Sequence, residues 1–107
     1  MSDSDSPRVE RLKEVIDYQD GAVVSRTIID KPTGTVTLFA FDEGEGLSEH
    51  TTPFDALVQV LDGEVEIIIG SEPYILTEGE AIIMPADIPH ALRAISAFKM
   101  LLTMVKT

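Results

Sequence analysis

Ala56-Leu57-Val58-Gln59-Val60-Leu61-Asp62-Gly63-Glu64-Val65-Glu66-Ile67-Ile68-Ile69 sets the rhythm of the whole chain. Two apolar runs flank Asp62-Gly63, a dipeptide that signals a two-residue hairpin because both of its positions accept φ > 0. An antiparallel pair of strands is therefore expected over 56–61 and 65–69. Downstream the pattern repeats: Tyr74 to Leu76, the turn Glu78-Gly79, Ala81 to Met84, the turn Pro85-Ala86-Asp87-Ile88-Pro89, His90 to Ala94, and Phe98 to Val105. Upstream, a β-branched run from Ala22 to Ile29 ends in the breaker cluster Asp30-Lys31-Pro32-Thr33-Gly34. Thr35 to Phe41 then alternates, and Asp42-Glu43-Gly44-Glu45-Gly46 reads as an exposed loop. The count is about nine short strands at the spacing of an all-β sandwich or barrel, with no helical segments long enough to link parallel strands.

The ends and the composition bound the rest. Met1 to Pro7 is polar and reads as a flexible N-terminus, while Val9, Leu12, Val15 and Ile16 have the spacing of a short helix or turn. The 107 residues are one domain's worth, with 44% hydrophobic and 25% charged residues, so residues 8–107 are read as a single folded unit. Eight Lys and Arg against 19 Asp and Glu give a net charge of −11, which repels nucleic-acid phosphates and anionic bilayers. The chain has no Cys, so any metal must use His and oxygen donors, and disulfides and thiolate chemistry are excluded. With no basic-then-apolar leader and no long apolar stretch, the expected setting is cytoplasmic.

Two segments share the spacing of a known pair of motifs. The first is Gly44, five residues, His50, one residue, Thr52, three residues, Ala56, six residues, Gly63; the second is Gly79, five residues, Pro85, one residue, Asp87, two residues, His90, three residues, Ala94. In this the chain resembles the cupins, small jelly-roll barrels built as a double-stranded β-helix, whose first motif has His, His and Glu where this chain has His50, Thr52 and Ala56. Their second motif has Gly where Asp87 stands, His at His90, and Asn where Ala94 stands. Asp87 is one of the few residues that tolerates the left-handed turn conformation, so the turn can survive the exchange. The 15 residues Glu64 to Glu78 between the motifs match the length in compact microbial cupins.

The resemblance implies an all-β cupin barrel and a metal held by the motif histidines and glutamate. Only His50 and His90 keep a ligating group, and they are the only histidines in the chain. A catalytic zinc takes three protein ligands and non-haem iron a facial triad, so the set is one strong ligand short unless a β-bulge turns Glu49 or Asp55 inward. The leading expectation is a small-molecule-binding barrel with a degenerate metal site and at most a weakly bound divalent transition metal as cofactor. Its pocket is lined by His50, Thr52, Ala56, Val58, His90 and Met100. Two alternatives stand beside it: a metal-dependent oxygenase or isomerase whose third ligand lies outside the motif, and a non-catalytic dimeric scaffold. Met100 and Met104 share a strand face with Phe98 and Leu102, and read as core filler or as a pliable pocket wall. On the opposite face Leu101 and Val105, with Ile67, Ile69 and the apolar face of the 56–61 strand, leave hydrophobic surface that a homodimer would bury.

Overall fold

The computed structural model describes residues 7–106. After a single-turn helix, α1 (Leu12–Val15), come nine strands: β1 (Val23–Lys31), β2 (Gly34–Phe41), β3 (Gly46–His50), β4 (Asp55–Asp62), β5 (Glu64–Ile69), β6 (Glu72–Thr77), β7 (Ala81–Met84), β8 (His90–Ala94) and β9 (Phe98–Val105). They form two antiparallel sheets, one in the order β1-β2-β9-β4-β7 and the other in the order β3-β8-β5-β6. The expected all-β architecture of nine antiparallel strands is the observed one. Of the expected flexible N-terminus, residues 1–6 lie outside the described residues.

Alternation along the strands builds the core between the sheets. Ala56, Val58 and Val60 of β4 point inward together with Phe98 and Met100 of β9, and meet Val65 and Ile67 of β5 and Leu92 and Ala94 of β8. Phe41 and Phe98 stack at the centre of this layer, ring centroids 4.6 Å apart. Each fully buried side chain of this size contributes on the order of 1.5–3 kcal/mol of transfer free energy.

The Asp62-Gly63 turn does not close a hairpin. Both edges of β4 are occupied, by β9 and by β7, and both edges of β5 by β6 and β8, so the two runs lie in different sheets. A register shift between Val60 and Asp62 marks a bulge at the end of β4. Gly63, with φ 77°, then carries the chain across to the facing sheet. A side chain here would collide with the carbonyl of Ala97 as well as strain the backbone. The dipeptide signals that the chain turns; which strands flank it is settled by the long-range pairing.

Three smaller expectations change as well. The breaker cluster shrinks to Pro32-Thr33, because Lys31 already pairs with Gly34, and the loop after Phe41 ends at Gly46, which starts β3. Val9 is fully exposed and outside the helix. Ile67 was expected on the outer face, yet it is 0% exposed, since membership of the second sheet turns it into the core. Leu101 is likewise partly covered: Ile16, Leu38 and Ala40 form a second cluster on the outer face of the five-stranded sheet, with Leu12, Val15, Tyr18 and Leu101 packed on it. The N-terminal segment thus covers one half of that face, and Val105 and Ile83 on the other half stay exposed.

Candidate functional site

β3 and β8 place the two histidines directly opposite each other, as cross-strand partners at the end of the four-stranded sheet. Between Leu47 and His50 the register slips by one residue against β8. Strict alternation would put Glu49 on the side of Leu47; the bulge puts His50 there instead, and Glu49 is exposed. On β8 no correction is needed: His90, Leu92 and Ala94 form one inward row. Before it, Asp87 adopts φ 65° and its amide donates to the Thr52 carbonyl at 2.8 Å, which ties the β7–β8 turn to the segment after β3.

The imidazoles meet edge to face, with ring centroids 4.3 Å apart and Nε2 to Nε2 3.1 Å. Each Nδ1 faces a backbone carbonyl two residues back, His50 that of Ser48 at 2.8 Å and His90 that of Ile88 at 3.2 Å. A carbonyl only accepts, so each Nδ1 carries the ring's hydrogen, and a neutral imidazole has only one. With both rings neutral, both Nε2 atoms therefore turn lone pairs toward each other. Carbonyl-anchored Nδ1–H groups of this kind are the usual way a protein fixes the tautomer of a metal-binding histidine. Burial is the main influence on His90, which is 4% exposed, and pushes its pKa below the ordinary value; the Ile88 carbonyl opposes this and His50 adds to it.

The pair borders a cavity of about 30 Å³ lined by Leu47, Thr52, Ala56, Met84, Leu92, Met100, Leu102 and Met104. That space accepts one water-sized guest. Of the residues expected around the pocket, His50, Thr52, Ala56, His90 and Met100 come together here, while Val58 is fully buried in the core and does not line the cavity. The Thr52 hydroxyl donates to the Phe54 carbonyl at 3.2 Å, and Thr52 lies past the end of β3 rather than on it. Leu47, Met84 and Leu92 were not placed at the site from sequence, Met104 was read as core filler or pocket wall, and Leu102 only as sharing its strand face. Their signal is the two-residue parity of β3, β7, β8 and β9, which becomes usable only once the pairing is known. A larger hollow of about 530 Å³ sits beside α1 and Leu61, but it is a shallow surface dip with no histidine.

The residues do not fit the divalent metal set that the resemblance implies. Ala56 offers no donor, Asp55 is exposed and accepts the Ala86 amide at 2.9 Å, and Glu49 faces outward. Among the described residues no group of three or more His, Cys, Asp or Glu side chains is placed to hold an ion. The facial triad of an oxygenase is therefore incomplete.

Two facing sheets closed around an inward histidine pair define a double-stranded β-helix barrel. Residues 37–106 match the family model described as a cupin domain, and the chain belongs to the cupin superfamily as a small conserved-barrel protein. A conserved protein of unknown function from Streptococcus pyogenes is 39% identical, with a TM-score of 0.91 over 95% of this chain and 90% of that one. A cupin 2 conserved barrel domain protein from Leptotrichia buccalis is 44% identical, with a TM-score of 0.85 over 88% of this chain and 46% of that one. Among curated proteins, the polyketide synthase CurC of Streptomyces cyaneus is 28% identical over 93 residues. That match takes in 81% of this chain, which spans only 60% of the relative's length. No helix among the described residues is long and apolar enough to cross a membrane.

Proposed function

We propose that this cupin is a binding barrel that holds a small ligand against the His50–His90 pair. The observation that carries this reading is the pair itself: two Nε2 atoms 3.1 Å apart, each left a lone pair when its ring is neutral and Nδ1 holds the hydrogen, beside a cavity with mostly apolar walls. Such an arrangement is electrostatically unfavourable when empty and is relieved by any guest that brings positive charge or a donor hydrogen to Nε2. The small cavity suits an ion or a guest of a few atoms. The side chains of Met84, Met100 and Met104, from β7 and β9 of one sheet, can shift rotamer to admit something larger. Among the described residues no nucleophile or carboxylate pair stands by the imidazoles, so the chemistry on offer is holding, orienting and sharing a proton.

The reading carries two further expectations. The uncovered half of the outer sheet face, with Ile83 63% and Val105 52% exposed, is the surface on which two copies would meet. The absence of Cys suits a cytoplasmic setting. The test is native mass spectrometry and thermal shift against a panel of ions and small molecules, on the wild type and on the His50→Ala, His90→Ala double variant. Binding that disappears in the double variant supports the reading. Ligands held equally well by both proteins refute it, and a pocket variant with full cellular function would move the protein to the scaffold class.

A further inference from the structure

Each histidine adjoins a loop, and the two loops are bonded to each other. His50 ends β3 and runs into the link 51–54 that leads to β4, while His90 starts β8 directly after the turn 85–89. Asp87 donates its amide to the Thr52 carbonyl at 2.8 Å, and Ala86 donates its amide to the Asp55 carboxylate at 2.9 Å. Pro85 and Pro89 have no N–H, so the turn owns three amides and two of them go into this clasp. The far end of the turn is tied too, by the Gly70 amide on the Pro89 carbonyl at 2.8 Å. Of these three bonds, the one to Asp55 alone uses a side chain. Pairing of Ala56 with Met84 puts Asp55 beside the first residues after β7, which is how its carboxylate reaches Ala86.

We infer that Asp55 is a positioning residue for the histidine pair: its carboxylate, through the Ala86 amide, holds the turn whose Ile88 carbonyl fixes the His90 ring against His50. This rests on the binding reading above and names the side chain that sets the geometry of that site. The path is short. Ala86 is followed by Asp87 at φ 65°, and then by Ile88, whose carbonyl faces His90 Nδ1 at 3.2 Å. A residue with a side chain stays in that left-handed region only where its surroundings over-determine it. Without the Asp55 bond the turn keeps one fewer restraint on each side of Asp87, and relaxation of that φ redirects the Ile88 carbonyl. The Nδ1 hydrogen of His90 then loses its acceptor. A neutral imidazole takes the tautomer that its hydrogen bonds dictate, so His90 becomes free to carry its hydrogen on Nε2 and donate it to His50. The pair then satisfies itself and offers a guest one lone pair fewer. An exposed aspartate outside the cavity wall thus decides what the cavity presents.

The test is long-range proton–nitrogen NMR of histidine-labelled protein at about pH 8, where ordinary imidazoles are neutral. In the wild type and in Asp55→Asn, which keeps the acceptor oxygen, His90 should show its hydrogen on Nδ1. In Asp55→Ala the two His90 nitrogen resonances should move toward each other as the second tautomer gains population. Asp55→Ser, whose hydroxyl is too short to reach the amide, should repeat that result. The control is Glu80→Ala at the other end of β7, which removes an equivalent exposed carboxylate-to-amide bond, from Thr77 at 2.8 Å, and should leave both imidazoles unchanged. Unfolding midpoints show that each variant is folded. Unmoved His90 nitrogens in Asp55→Ala and Asp55→Ser overturn the assignment, as does an Asp55→Asn spectrum like that of the alanine variant. So does an equal change in Glu80→Ala, which would mark general loosening. The readout needs no guest, so these failures leave the binding reading standing; that reading falls separately, on ligands held equally well without the histidines.

Discussion

His90 has its Nδ1 on the Ile88 carbonyl, its Nε2 against His50 and 4% of its surface exposed. Burial is the larger influence and lowers its pKa below 6.5. In the unfolded chain this group takes a proton at its ordinary value, whereas in metal-free folded protein it does so only at lower pH. Over that window the unfolded state binds more protons, so stability is full above about 6.5 and falls as pH drops through it. Urea midpoints of metal-free protein measured from about pH 8 down to about pH 5 should decline, and His90→Gln should flatten the decline. Ala56 and Thr52 were legible in the sequence as missing ligands. The carbonyls of Ser48 and Ile88, which fix the tautomers, were not, since any residue supplies a carbonyl.

At the level of elements, β3 owes its function to one extra residue. The bulge between Leu47 and His50 selects which of two neighbouring side chains, Glu49 or His50, faces inward. Sequence spacing finds such a site through a known motif, because alternation alone cannot locate a bulge. Deleting Ser48 should remove the bulge and leave His50 two positions after Leu47, still inward and opposite His90, so a titration of the deletion variant should retain histidine-dependent binding that His50→Ala removes. The β4–β5 junction makes the same point: Asp62-Gly63 looks like a hairpin and is a crossing between sheets. Gly63→Ala should cost at least about 1–3 kcal/mol in denaturant unfolding, from positive φ and the contact with Ala97. The N-terminal segment is pinned to the outer face by Tyr18, whose hydroxyl donates to Asp62 at 2.6 Å, and by Lys99, whose Nζ donates to the Lys13 carbonyl at 2.5 Å. Burial, with help from Asp62, pushes the Tyr18 pKa up from 10.0. Its contribution is present below that value and is lost as pH rises above it. Alkaline unfolding curves should show this loss in the wild type and a weaker one in Tyr18→Phe, which should itself cost about 1 kcal/mol.

For the whole molecule, the all-β architecture was readable because each strand is short, apolar on one face and bounded by Gly, Pro or Asp. The division into two sheets was not, as it depends on pairings between residues far apart in the chain. The half-covered outer face follows from that division, with Ile16 seated over one end and Ile83 and Val105 open at the other. Sedimentation at micromolar concentration should give about twice the 11.7 kDa chain mass, and Val105→Glu with Ile83→Lys should return it to one chain. A monomeric wild type would leave that face without its expected partner.

The account turns on two lone pairs that point at each other. Long-range proton–nitrogen correlation NMR of the two imidazoles, on metal-free protein near neutral pH, reads this directly. Both rings should carry hydrogen on Nδ1 and none on Nε2. A hydrogen on either Nε2, making a simple hydrogen bond between the rings, would contradict the site as described and remove the reason for a guest to bind there.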